Sequence, residues 1–246
     1  MLFRSIRRKK EWRRKLASFS ADGYSRVVVS NDTRIAMILE SISKLYWDAR
    51  KGTKEVIISR RQTRNTDSKT NFATTRFMPN LYDDNIDILG FNIMGLTHPD
   101  ALDNYRFTLT GKRVRDGRMV YDIAVKPKKK LQPLFTGTLS VLDGDFAMIE
   151  AKAKPNDAVM FPPPFNNFDV SFEQQFDDFG TDAWLPCDVR TDGRIKLKLP
   201  GLSFPTMKYH QLTRFTGYAV NIAPPDTLFR KMVRMVELTS KVSRDT

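Results

Sequence analysis

From Tyr105 onward, apolar and polar positions alternate along the chain with a period of two. Tyr105, Phe107 and Leu109 alternate with Arg106, Thr108 and Thr110, and Met119, Tyr121, Ile123 and Val125 lie on one face of the next run. Phe168, Val170, Phe172 and Phe176 alternate with Asp169, Ser171, Glu173 and Gln175, and Ile195, Leu197 and Leu199 alternate with Arg194, Lys196 and Lys198. Residues two apart in a strand point to the same side, so each run predicts a strand with one apolar face. Asp116-Gly117, Asp143-Gly144 and Asp192-Gly193 punctuate these runs. Asp-Gly is a strong hairpin signal, because tight hairpin turns need the left-handed backbone that these residues tolerate. The pattern predicts a long antiparallel meander with three tight hairpins, including strands at 134–142 and 145–153. Its apolar face must be covered by something else.

The first hundred residues are less regular. Trp12, Leu16 and Phe19 fall at i, i+4 and i+7, which predicts a helix over 3–18 with one apolar stripe. Asp22-Gly23 ends it, and Tyr24–Ser30 reads as a strand rich in β-branched residues. Between 34 and 47 the signals conflict. Ile35, Ile38, Leu39, Ile42, Leu45 and Tyr46 repeat at helical spacing, whereas Gly52 and the run Glu55–Arg60 point to a hairpin. Periodicity alone chooses helix. Residues 65–104 read as irregular, with one or two helical turns after Pro99. Leu228, Met232, Met235 and Val236 predict a closing helix that covers part of the sheet.

Charge changes the picture at one end only. The net charge of +13 lies mostly in residues 1–65, which hold 17 Lys/Arg against 6 Asp/Glu. The remainder is almost neutral, unlike a fold that wraps nucleic acid. Arg4, Arg7, Arg8, Lys9, Lys10, Arg13, Arg14 and Lys15 crowd the first helix against the single acid Glu11. A solvated helix face explains them, and Arg7, Arg8, Arg13 and Arg14 are the candidates for contact with an anionic membrane or nucleic acid. No apolar segment follows that would make the start a secretory signal, and no apolar run is long enough for a membrane-spanning helix.

Candidate chemistry is sparse. Cys187 is the one cysteine and reads as a structural thiol; His98 reads as a loop residue and His210 as a strand residue on a polar face. Asp83, Asp84 and Asp87, and Glu173, Asp177 and Asp178, read as turn-capping or solvated carboxylates rather than a cation site. Lys126 and Lys128 to Lys130 suit a protected strand edge, and Phe161 to Phe165 a polyproline connector. No phosphate-binding loop, dinucleotide fingerprint or nucleophile elbow occurs. No cofactor, metal or catalytic residue is expected.

Several stretches carry a resemblance. Tyr105-Arg106-Phe107, Gly117 to Ile123, Pro127 to Lys130, Phe135 to Leu139 and Asp143 resemble the sheet core of lipoprotein-carrier-like (LolA-like) domains. Ala21 to Arg26, Glu40 to Ser43, Glu55 to Thr63, Ala183 to Pro186 and Gly201 to Pro205 extend the likeness over about residues 5–229. The whole resembles an uncharacterised Gram-negative envelope family in which a carboxypeptidase-regulatory-like sandwich precedes a domain of this type. The resemblance implies a mainly β fold, a curved antiparallel half-barrel with covering helices, and makes 34–47 a strand. Neither that sandwich nor a signal peptide is found in this sequence, so the chain is expected to be a late portion of a longer envelope protein or a trimmed one. Lipoprotein carriers proper lack the long segment 60–104, so their cargo does not transfer.

The expected organisation is a basic helix over 1–20, a half-barrel over 21–225 and a helical tail over 226–246. The expected role is non-catalytic: a periplasm-facing or outer-membrane-associated module that binds a lipid, an acyl chain or an envelope protein. The alternative is a basic arm, residues 4–15, docking on anionic membrane or, less in keeping with the neutral fold, nucleic acid. Tyr105, Phe107, Leu109, Tyr121, Ile123, Phe168, Val170, Phe172 and Trp184 form an aromatic and aliphatic stripe for the concave face. An apolar groove and a solid core use the same residues.

Overall fold

The helical stripe at the start and the alternating runs after it form the elements their periods dictate. The computed structural model describes residues 1–63, 78–160, 165–199, 202–203, 205–230 and 235–237. Helix α1 (Leu2–Lys15) buries Leu2, Ser5, Lys9 and Trp12, a stripe repeating every three or four residues. Its last turn carries Arg13, Arg14 and Lys15, which suit the negative end of the helix dipole.

Strands β1 (Ser18–Ser30), β2 (Ile35–Asp48) and β3 (Gly52–Gln62) form an antiparallel meander. The chain then crosses to the far side of the molecule. On the way it makes the small hairpin of β4 (Asn85–Ile88) and β5 (Phe91–Met94) and the single helical turn α2 (Ala101–Asn104). From there β6 (Tyr105–Arg115), β7 (Arg118–Pro127), β8 (Phe135–Leu142), β9 (Met148–Pro155), β10 (Phe165–Asp177) and β11 (Leu185–Leu199) run back antiparallel. A two-residue strand, β12 (Leu202–Ser203), pairs beside β11, and β13 (Met207–Val220) joins β11 to β1. After the short helix α3 (Asp226–Arg230), β14 (Met235–Glu237) pairs parallel with β3.

The resulting order is β14-β3-β2-β1-β13-β11-β10-β9-β8-β7-β6. This large curved sheet does not close, and the fold is the mainly β, antiparallel half-barrel expected from the resemblance. Helix α1 and the crossing segment 78–104 pack against the concave face over β6 to β10, where they form the main core. Trp12 of α1 meets Tyr82 edge-on at 5.4 Å, and Tyr82 meets Phe176 of β10 at 4.7 Å. The basic helix is therefore part of the body of the fold.

Several expectations need correction. The first helix stops at Lys15, and Asp22-Gly23, expected to end it, lies inside β1, paired with β13 and β2. Asp116-Gly117 is a tight two-residue turn, both residues having positive φ between paired Arg115 and Arg118. Asp143-Gly144 also lies between paired strands, but the loop is longer and closes through the Leu142 amide and the Ala147 carbonyl. Asp192-Gly193 is no turn. It lies inside β11, where Gly193 pairs with Val170 on one side and Tyr209 on the other. Residues 35–48 form a strand despite their helical spacing, because neighbours on both sides supply its backbone partners. Met235 and Val236, expected in a closing helix, lie in β14. Phe161 to Pro164 of the proposed connector lie outside the described residues.

Candidate functional site: the concave face of the half-barrel

Register assigns the inward side chains strand by strand. On one rung Phe172 stands opposite Thr191, Thr191 opposite Gln211, Gln211 opposite Val27 and Val27 opposite Leu39. On the next, Gln174, Val189, Thr213, Ser25 and Ser41 follow one another across β10, β11, β13, β1 and β2. Opposed residues of antiparallel strands share a face, so one continuous inner wall runs from the apolar core to β2.

The strand residues of the stripe whose side chains are described lie on this inner face, and most of them are covered. Tyr105, Ile123, Val170, Phe172 and Trp184 are buried in the main core, and Phe107 packs against that core half-buried. Tyr121 is half-buried in β7, opposite Val141. Leu109, further along β6, is 53% exposed at the free edge of the sheet. Phe168 lies in β10, opposite Ile195 of β11, but its side chain lies outside the described residues.

Polar contacts as well as apolar ones hold the crossing segment and α1 onto this half. The Tyr105 hydroxyl donates to the Met94 carbonyl at 2.5 Å and accepts from the Phe135 amide at 3.2 Å; burial pushes its pKa up to about 12. The Tyr82 hydroxyl accepts from the Met148 amide at 2.6 Å. Buried Gln174 accepts from the Leu81 amide at 2.9 Å and donates to the Pro79 carbonyl. Lys9, only 4% exposed, donates to Asp84 at 2.5 Å and to the Thr97 carbonyl and hydroxyl. Burial holds the Lys9 ammonium below its usual pKa, opposed by Asp84.

The basic face of α1 is thus partly neutralised within the chain. Arg13 pairs with Asp83; Arg8 lies 3.5 Å from Glu11 and 3.9 Å from Asp182; Arg7 lies 3.7 Å from Glu11. Arg14 is exposed in the last turn of the helix. The aspartates read as turn caps divide accordingly. Asp83 and Asp84 are counter-ions for α1, whereas Asp87 accepts from the Gly90 amide and Asp178 from the Gly180 amide.

The other half of the inner wall differs in composition. Ser25, Ser41, Ser43, Thr191, Gln211 and Thr213 are buried there, beside Gly23 and Gly193. Ser25 and Thr213 hydroxyls are 2.6 Å apart, the Gln211 amide donates to Thr213 at 3.1 Å, and the Tyr209 hydroxyl donates to Gln211. Burial raises the Tyr209 pKa. Two apolar clusters flank this band along the strands: Val27, Met37 and Leu39 on one side, and Ala21, Leu45, Val189 and Phe215 on the other. At the rim beyond the second cluster, Phe19 stacks on Trp47 at 5.4 Å and meets Tyr218 at 5.5 Å. The sequence signal for the band was present as Ser41-Ile42-Ser43 within β2, but polar residues on the inner face broke the apolar alternation that marks a strand.

The remaining candidates do not converge. Cys187 is half-buried in β11, its thiol pKa raised by burial and by Asp177 and Asp188. His210 contacts Asp192 at 2.6 Å on an exposed strand surface, and His98 accepts from the Asp100 amide at 3.0 Å. Lys128 donates to the Leu102 carbonyl. Among the described residues, no three His, Cys, Asp or Glu side chains are grouped as metal ligands. No described helix is long and apolar enough to cross a membrane.

Solved structures to which this chain is similar include a DUF1329 family protein from Desulfovibrio piger, with 10% identity, a TM-score of 0.42, and 92% of this chain and 95% of that chain covered. A LolA superfamily protein from Nitrosomonas europaea has 12% identity, a TM-score of 0.37, and coverage of 92% and 96%. The Pseudomonas aeruginosa MucA/MucB complex contains a chain with 10% identity, a TM-score of 0.24, and coverage of 90% and 98%. At such identities no residue role carries over. No curated protein matches the sequence. The model of a family described as one of unknown function (DUF5686) matches residues 28–211, most of the chain, and the protein belongs to that family.

Proposed function

We propose that this chain is a non-catalytic, periplasm-facing module of the cell envelope that holds a hydrophobic ligand, such as a lipid or acyl chain, or an envelope protein partner, on its concave face. The observation that carries the reading is the division of that face. Over β6 to β10 the chain fills the concavity with its own helix and hairpin. Over β11, β13, β1 and β2 the wall instead carries a buried band of small and polar residues, among them Gly23, Ser25, Ser41, Thr191, Gln211 and Thr213, in place of the large apolar side chains of the main core. Apolar clusters and an aromatic rim flank that stretch, a composition suited to a partly apolar guest. The envelope placement rests on the likeness of the quoted sequence segments to a Gram-negative envelope family.

Docking of α1 on anionic membrane is the weaker reading. Arg7, Arg8 and Arg13 each have a carboxylate within the chain, and Lys9 is buried.

Native mass spectrometry of the protein isolated from an envelope fraction tests the proposal. A co-purifying amphiphile or a stoichiometric envelope protein is expected, and an apolar fluorescent probe should compete with the amphiphile. A protein that carries neither and takes up no apolar probe would overturn it.

A further inference from the structure

The start of β6, the end of β7, the start of β8 and the end of β9 lie at one end of the sheet, so the connections beyond them share a tip. Hydrogen bonds hold that tip together. The Asn156 side chain donates to the Gln132 carbonyl at 2.9 Å and to the Lys130 carbonyl at 3.3 Å, and accepts from the Leu134 amide at 3.2 Å. On the other side, the Lys128 amide and side chain donate to the Asn104 and Leu102 carbonyls, each at 2.8 Å. The tip nevertheless turns apolar side chains to water. Leu131 is 95% exposed and Met160, just after the turn at 156–159, is 77% exposed. Single exposed apolar residues are ordinary. These two are the most exposed large hydrophobic side chains among the described residues, and Asn156 joins the connections that carry them.

Exposed lysines accompany them: Lys126, Lys128, Lys129, Lys130 and Lys154. Among the described residues none of the five forms an ion pair, although Asp100, Asp103 and Asp157 lie in the same segments. Arg7, Arg8 and Arg13 of α1 differ in having carboxylates beside them. We propose that this tip docks the protein on an anionic phospholipid surface, with Leu131 and Met160 entering the bilayer interface and the lysines against the headgroup phosphates. The proposal goes beyond the concave-face reading and does not depend on it. Attraction between the lysines and a negative surface gathers the protein there, and burial of the two apolar side chains holds it. Lysines alone would be screened by salt, and two apolar side chains alone bury too little area, so the pairing of the two features on one tip is what fits a membrane. Nucleic acid fits less well. Its phosphates reward charge, and its bases stack on aromatic rings, which Leu131 and Met160 do not supply.

Sedimentation of the full chain with vesicles of phosphatidylcholine, or of an equal mixture of phosphatidylcholine and phosphatidylglycerol, tests the proposal. The protein should sediment with the mixed vesicles and not with phosphatidylcholine alone, and less so as salt is raised. Lys129→Gln with Lys130→Gln and Lys154→Gln should weaken binding roughly hundredfold, about fivefold for each lysine. Leu131→Ser with Met160→Ser should weaken it about tenfold or more. All five side chains are exposed, so the denaturant midpoints of both variants should match the parent. Leu131→Trp places a reporter at the tip, and its emission should shift to the blue on mixed vesicles by more than the parent's does. Parent affinity in the lysine or the serine variant, or an unmoved Leu131→Trp emission, overturns the proposal. So does equal binding to the two kinds of vesicle, or binding to neither. Loss of binding in Arg7→Gln with Arg14→Gln, while the lysine variant still binds, also overturns it and assigns the contact to α1. Tighter binding to duplex DNA than to mixed vesicles at the same salt overturns it in favour of nucleic acid. None of these outcomes bears on apolar probe uptake, by which the concave-face reading is judged separately.

Discussion

Lys9 of α1 donates to the carboxylate of Asp84, at 2.5 Å, joining residues 75 positions apart. The ammonium is buried, whereas the carboxylate side chain is 44% exposed. The two partners are therefore unequal. Asp84→Asn leaves a buried cation short of its counter-charge and should cost about 1–3 kcal/mol, reduced from the fully buried case by solvent at Asp84. Lys9→Met leaves a carboxylate that water can reach and should cost less. Urea midpoints of the two variants check the asymmetry, and equal losses would contradict it.

The same lysine sets a pH dependence. Burial lowers its pKa in the folded chain below the ordinary 10.5. In the alkaline range just below that value, the unfolded chain holds the proton more firmly than the folded one. Lys9 therefore makes stability rise with pH in that window and contributes the opposite slope nowhere. The difference in unfolding free energy between the parent and Lys9→Met, measured at about pH 8 and about pH 10, should move in the parent's favour at the higher pH.

Phe172 lies 3% exposed opposite Thr191 and Ala153, within the core formed under α1. Phe172→Ala should cost about 3–5 kcal/mol, as for a large cavity in a packed core. A loss well under about 1 kcal/mol, read from the denaturant midpoint, would mean that the side chain lines a space the free protein already leaves open.

Two glycines should respond in opposite ways to alanine. A Cβ at Gly137 in β8 would lie 1.9 Å from the Lys152 carbonyl oxygen, so Gly137→Ala must displace backbone and should cost about 3 kcal/mol or more. At Gly193 the added carbon would meet the Asp169 oxygen at 3.6 Å and the Tyr209 Cβ at 3.7 Å, ordinary contacts. Gly193→Ala should be close to neutral, within about 1 kcal/mol. Thermal midpoints of the two variants distinguish them; a large loss at Gly193 would restore a turn-like constraint there.

Cys187 should react slowly. Burial, then Asp177 and Asp188, raise its thiol pKa, so little thiolate is present at neutral pH. Alkylation in the native state should be many-fold slower than in urea, and equal rates would show an open, activated thiol.

Sequence alone determined the architecture wherever the side-chain pattern and the backbone partner agree. The alternation around Tyr105–Leu109 and Met119–Val125, with Asp116-Gly117 between them, specifies a hairpin locally, because turn and pairing are neighbours in the chain. The stripe Trp12–Leu16 likewise specifies a helix, and the half-barrel itself was legible through residues that resemble lipoprotein-carrier-like sheets. Tertiary structure decided what local pattern leaves open. Asp192-Gly193 has turn chemistry, yet its backbone groups pair with β10 and β13, and those long-range bonds outweigh a local preference. Residues 35–48 have helical apolar spacing because Ser41 and Ser43 occupy inward positions that an apolar core would fill, while Ile42 faces out. Only the strands on either side make them a strand. The eight basic residues at the start looked like a free charged face until the fold brought Asp83, Asp84 and Asp182 to them from distant segments. Whether an inward aromatic lines a groove or a core depends on what the chain lays over it. That is fixed by the crossing of 78–104 and the docking of α1, contacts between residues far apart in sequence that no period along the chain encodes.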